Sequence, residues 1–290
     1  MILDIDTMHK SNNLEAASIN SFQRQAWLIA EQELQTSFAS KRGLFVSIVF
    51  IAIWTLLLFY PIQFSAEAMH SPDNASLMIS LLSVVGLEPL KNWQLAEFAI
   101  YWVVALYLFP ASSILMAADQ MISERNRGGL RFLTLRCSRG QIFFGRFMGH
   151  LLIQSILLAT TVLITYLLLL INNPETWLDG IKIMPLLLLN LVLVICPFIA
   201  LMSLLSVLMT SVRMASLVAI IALSLGGFLV NYLASYLPVL SVFNYWIPGS
   251  QVAQMAQSTP SIALLSLWSP MMQTVGFLLL GYGLFKRQAI

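Results

Sequence analysis

Charge is what this chain has least of. Only 10% of its 290 residues are Asp, Glu, Lys or Arg, against about 25% in a soluble domain. A surface that poor in charge could not stay hydrated in water. Cysteine is almost as scarce: Cys137 and Cys196 are too few for a disulfide framework and read as small packing residues. His9, His70 and His150 have no His or Cys neighbour at metal-ligand spacing, so no metal site is expected. GxxxxGK[ST], HExxH and GxSxG motifs are all missing, so the chain is expected neither to bind ATP through a phosphate loop nor to be an enzyme. Residues 1–43 lack an early apolar core, so no cleavable leader is expected there.

What fills the space is apolar sequence, 59% of the whole, gathered in long blocks. Runs of about 18 or more apolar residues fit helices crossing a hydrocarbon core of about 30 Å. The alternating strands of about 10 residues that a membrane barrel needs are absent. The blocks predict an all-α polytopic membrane protein with six spans, over residues 44–62, 97–118, 141–171, 183–210, 215–237 and 262–285. Of the 15 Lys and Arg, only Lys91 and Lys182 fall in the outer loops when the N-terminus is placed inside. Positive charge collects on the cytoplasmic side, so both termini are expected there, in a bacterial inner membrane.

Residues 1–20 read as a disordered tail, and residues 21–43 as an amphipathic helix. Phe22, Ala26, Trp27, Ala30, Leu34 and Phe38 share one arc, with Arg24, Gln25, Glu31, Gln32 and Gln35 largely opposite and Glu33 intruding on the apolar side. Such a helix suits a place in the cytoplasmic interface of the membrane, feeding into the first span through Lys41-Arg42-Gly43, the alternative being an ordinary cytoplasmic helix packed on protein. Outside, residues 76–87 are too short to cross and read as an interfacial or re-entrant helix. Residues 238–261, aromatic and free of charge, are expected to dip into the membrane.

The densest cationic stretch, residues 119–140, joins spans two and three. Span two is expected to continue as helix to about Arg127 and to break at Gly128-Gly129, since glycine costs about 1 kcal/mol in a helix interior. A short amphipathic helix then follows over residues 130–136, and Ser138 can cap the start of span three. Topology needs only charge, so the interleaved Leu130, Phe132, Leu133 and Leu135 point to a docking element.

This stretch resembles the membrane subunits of ABC-2-type transporters. There, Ile-x-Glu-Arg-x-x-Gly-[Thr]-Leu follows the second membrane helix and Gly-[Lys/Arg]-Phe opens the third. The matching residues are Ile122, Glu124, Arg125, Gly128 and Leu130, then Gly145, Arg146 and Phe147. Gly129 stands where Thr is common, and Arg131 where an acidic residue is frequent. The segment from Arg139 to His150 also looks like the permease of the nitrous-oxide-reductase maturation transporter.

The resemblance implies a type V exporter-like permease fold and transport driven by separate cytoplasmic ATPase subunits. ATP and Mg would sit on those partners, with no cofactor in this chain. A second copy, or a related permease, would complete the membrane unit amid lipid, and no nucleic acid is involved. Coupling to the ATPase would fall to Glu124, Arg125, Arg127, Gly128, Gly129, Leu130, Phe132, Leu133 and Arg136.

Four further residues are open to two readings. Gly145 and Gly149 either let a helix approach closely or form a chance GxxxG. His150, about 6 Å along the helix from Arg146, is either a packing residue or a gating contact. Pro197 gives span four a hinge or merely a bend. A membrane anchor or assembly factor is one rival function. A secondary transporter is another, weakened by the lack of ionisable residues near the midplane, since Glu97 and Asp119 sit at the ends of span two.

Overall fold

A computed structural model describes residues 5–70, 93 and 95–288. Its helices are α1 (Ile5–Ala39), α2 (Lys41–His70), α3 (Ala96–Met116), α4 (Ile122–Asn126), α5 (Gly129–Thr134) and α6 (Arg139–Asn172). After these come α7 (Trp177–Leu208), α8 (Val212–Tyr236), α9 (Val252–Ala256), α10 (Pro260–Ala263) and α11 (Trp268–Arg287). No strand occurs among the described residues.

Among the described residues five helices are long and apolar enough to cross a bilayer: Gly43–Tyr60, Glu97–Met116, Arg139–Asn172, Pro174–Leu208 and Val212–Tyr236. A sixth crossing exists only as a broken pair, Pro260–Ser266 and Trp268–Arg287, bent by 45°. The unbroken span expected over 262–285 is therefore corrected. Pro270, in the first turn of α11, has no N–H to donate back to the Ser266 carbonyl, and the chain bends just before it.

The fourth crossing is the hub. In the span containing α7, 78% of the apolar window is buried, against 6% for α8, which lines the perimeter. α7 packs on α3, α6, α8 and α11. It runs as one helix through Pro185 and Pro197. Spans gain little from the hydrophobic effect when their surroundings are equally apolar, so close packing and buried hydrogen bonds hold them together. The Tyr101 and Thr161 hydroxyls meet at 2.9 Å, Ser203 Oγ donates to Gln120 Oε1 at 2.6 Å, and Asn190 Nδ2 donates to the Pro260 carbonyl at 3.0 Å. The Trp54 and Phe109 rings pack 4.5 Å apart.

Three further expectations change. Helix begins at Ile5, where a disordered tail to residue 20 was expected. Leu14, Glu15, Ala16 and Ala17 are good helix formers, and extending an existing helix needs no new nucleus. The span-two helix stops at Met116 instead of continuing to Arg127. Asp119 turns the chain, its carboxylate accepting from the Ser123 N–H at 2.9 Å and the Ser123 hydroxyl at 2.5 Å, and α4 starts afresh. The second short helix covers Gly129–Thr134, ending before Arg136. The expected helix at residues 76–87 lies outside the described residues.

The segment after α8 folds back against the spans as a 3-10 stretch, Pro238–Trp246, followed by α9 and α10. Trp102 Nε1 donates to the Met255 carbonyl at 3.0 Å. Gln273 Nε2 reaches the carbonyls of Tyr245 at 2.8 Å and Ile247 at 3.2 Å. An uncharged loop can take this place because side chains inside the bundle satisfy its backbone.

Candidate functional site

The α6 helix has 34 residues, about 51 Å at 1.5 Å each, and the hydrocarbon core needs only about 30 Å. The excess accommodates a platform at its first turns. Ser138 starts the helix with a capping box: its Oγ accepts from Gln141 N at 3.3 Å, and Gln141 Oε1 accepts from Ser138 N at 2.6 Å. Against these turns lies α1. A Cβ on Gly145 would come within 2.8 Å of the Ala26 carbonyl oxygen and 2.9 Å of Ile29 Cβ. One on Gly149 would meet Glu33 Cβ at 2.8 Å. The GxxxG pair thus seats the N-terminal helix against α6.

Arg146 lies at the centre of this contact, 6% exposed. Its guanidinium lies 3.2 Å from Glu33, pairs with Glu124 and donates to the Gln120 carbonyl. One cation on span three therefore joins α1, the turn after span two and α4. Burial pushes the Glu33 carboxyl above the usual carboxylate range. The Arg146 charge pulls it down, while Glu124 and Asp119 push it further up.

The loop residues singled out by sequence divide into two sets. Arg125 points inward and donates to the carbonyls of Val207, at 2.7 Å, and Met209. Asn126 reaches the Thr210 carbonyl at 3.0 Å. These are the free carbonyls ending α7, where cations are favoured. Arg139 does the same for α11, donating to Lys286 at 2.8 Å and Gln288 at 2.7 Å. Leu130 is buried with Ile29 and Ile142, and Leu133 and Cys137 pack on them.

The second set faces outward. Phe132 is 74% and Leu135 82% exposed, and Arg127, Arg131 and Arg136 are exposed beside them. Between the sets, Gly128 takes a left-handed φ of 76° that glycine accepts without strain. Gly129 is an ordinary helical residue with room for a side chain. His150 lies one turn beyond Arg146, and Pro197 sits deep in α7, so neither joins this platform.

Sequence reasoning missed the roles of Glu33, Gln120 and Arg139. The signal for Glu33 was its misfit on the apolar arc of its helix. None marked Gln120 or Arg139, which act through backbone carbonyls.

No curated protein matches the chain significantly. The family model described as "ABC-2 family transporter protein" matches residues 27–289, from α1 to beyond the end of α11. That match does not extend to the narrower likeness to the nitrous-oxide-reductase maturation permease. Apolar crossings, a basic platform built on the loop after the second of them, and a match over nearly the whole length agree: this chain belongs to the ABC-2 family transporter proteins, as a transmembrane permease component of an ABC transporter.

Proposed function

We propose that the chain works as a pair, with itself or a related permease, in an exporter powered by separate ATPase subunits. Those subunits would carry ATP and Mg and dock on the basic end, which faces the cytoplasm of a bacterium by the distribution of Lys and Arg. The observation that carries this reading is the outward face of α5. Phe132 and Leu135 stand in the open between three exposed arginines. Lone apolar side chains on a surface are ordinary. Here two of them crown a helix whose other side, Leu130, is anchored in the platform, so a push on them reaches α1 and α6.

Export is the direction the family resemblance favours. α2 and α8 leave most of their faces uncovered by the chain itself, and a second permease would meet the first there. The nine residues expected to couple are divided accordingly. Arg127, Phe132 and Arg136 would touch the ATPase, while Glu124, Arg125, Leu130 and Leu133 would hold the touching face in place.

The test is co-purification of the tagged chain with its candidate ATPase, wild type against Phe132→Asp with Leu135→Asp. Loss of the ATPase with an unchanged thermal midpoint is expected. Full retention would sink the docking reading. A wild type that recovers no ATPase in mild detergent would favour an anchor or a secondary transporter.

A further inference from the structure

The last span, α11, is fastened at its two ends to different parts of the molecule. At the basic end, Arg139 of α6 donates to the carbonyls of Phe285 at 3.3 Å, Lys286 at 2.8 Å and Gln288 at 2.7 Å. The fully buried Phe143 ring lies so near Gly281 that a Cβ there would come within 2.7 Å of it. Gln288 Nε2 donates to the Val207 carbonyl at 2.8 Å, the same oxygen that accepts from Arg125 at 2.7 Å. One carbonyl at the end of α7 is therefore shared by the loop after the second span and by the end of α11. Hydrogen bonds from a guanidinium are about twice as strong as neutral ones, so this joint is firm.

At the far end the same helix carries the segment that follows α8. The Tyr245 and Trp268 rings pack 5.0 Å apart, and a Cβ on Gly276 would meet the Trp246 ring at 3.0 Å. Between these contacts Gln273 Nε2 donates to the carbonyls of Tyr245 at 2.8 Å and Ile247 at 3.2 Å. Gln273 is fully buried, and freeing two carbonyls in such a place is expensive.

Gln273 and Phe285 lie about 18 Å apart along continuous helix, at 1.5 Å per residue. A helix of that length moves as a rod, and the 45° break before Trp268 lets it tilt without carrying α10 along. The rival route is α8, which runs straight into the segment and whose Asn231 Oδ1 accepts from Asn244 Nδ2 at 3.1 Å. But only 6% of the apolar window of α8 is buried, so it has little protein to push against.

We infer that α11 is a transmission rod: it carries a movement of the basic platform to residues 245–247 at the far end of the bundle. Arg139 and Gln273 are the positioning residues at its two joints. The inference rests on the reading of that platform as the docking site of an ATPase, which supplies the movement.

The complex of the full-length chain with its candidate ATPase is compared without nucleotide and with ATP plus vanadate, which holds the ATPase closed. The readout is hydrogen–deuterium exchange by mass spectrometry. Wild type is expected to change in three places: the loop at 122–134, the end of α11 at 280–288 and the segment at 238–250. Arg139→Gln should keep the response of the loop and lose the other two. Gln273→Met should lose only the response at 238–250, and Asn231→Ala, on the rival route, should keep all three. A variant that merely loosens the fold raises exchange in both states and keeps the difference between them. That outcome for Gln273→Met would overturn the proposal. So would a wild type that responds at 238–250 and not at 280–288, a result that needs no variant to fold. Silence everywhere, the loop included, would sink the ATPase reading and this proposal with it. A loop that responds while α11 and the segment stay silent overturns the proposal alone.

Discussion

The Glu33 carboxylate lies 3.2 Å from the Arg146 guanidinium, and this contact ties the N-terminal helix to the third membrane helix. Glu124 shares the same guanidinium, so the loop helix α4 is held by the cation that holds α1. A movement of the loop cannot leave α1 behind without separating charges in a partly buried site.

Removing Arg146 should therefore cost more than removing any surface arginine. Arg146→Ala leaves two carboxylates facing each other without their cation; breaking a fully buried pair costs about 3–5 kcal/mol, and with Glu33 20% and Glu124 38% exposed solvent screening brings the cost below that range. Thermal unfolding in detergent should show a large drop. The triple variant Arg146→Met, Glu33→Gln, Glu124→Gln removes all three charges and should recover most of the loss. If the triple variant is as unstable as Arg146→Ala, unpaired charge is not the cause.

The pH dependence of the same site has a definite sign. Burial is the largest influence on Glu33 and raises its pKa above the usual 4.5, so the folded protein holds that proton more tightly than the unfolded chain. The stability this group contributes is complete below about pH 4.5 and fades as pH rises through the folded-state value. Glu33→Gln has no proton to exchange. Wild type should gain on Glu33→Gln in thermal midpoint as pH falls from neutral toward about 4.5. A gain in the opposite direction would mean that attraction to Arg146 outweighs burial.

The glycines on α6 give a graded prediction. Gly145 and Gly149 would drive a new methyl into α1 at 2.8 Å, whereas one on Gly140 meets only the Phe22 and Tyr282 rings at 3.4 Å. Gly145→Ala and Gly149→Ala should loosen α1, at about 1–3 kcal/mol for overpacking, and Gly140→Ala should change little. Trypsin cleavage after the exposed Arg24 measures the release. It should rise roughly tenfold in the first two variants.

Much of this was legible in the sequence, for physical reasons that also mark where legibility ended. Crossing a hydrocarbon core demands a long apolar run, so the spans announced themselves. Gly128 and Ser138 showed in the sequence because a left-handed residue and a helix start have narrow chemical preferences. The close approach at Gly145 and Gly149 was visible too, but its partner was not, since small residues show that something comes near and never what. The breaks after Met116 and before Trp268 stayed hidden. The break before Trp268 lies where apolar composition continues, and the one after Met116 where helix-forming residues run on into the basic loop; Pro270 and Asp119 mark the two turns. Arg125 read as a docking residue because charge alone cannot say which way an arginine points.

That last distinction separates two kinds of arginine in one loop. Arg125 donates to the carbonyls ending α7, and hydrogen bonds from a charged group are worth about 1.5–3 kcal/mol. Arg125→Ala should lower the thermal midpoint whether or not an ATPase is present. Arg136 is exposed and makes no ion pair or hydrogen bond through its side chain among the described residues. Arg136→Ala should therefore shift stability by no more than about 0.5 kcal/mol and show its effect only in ATPase recovery. Measuring both quantities on both variants tests the division directly. A destabilised Arg136→Ala, or an Arg125→Ala of normal stability that loses the ATPase, would reverse the assignment of inward and outward roles.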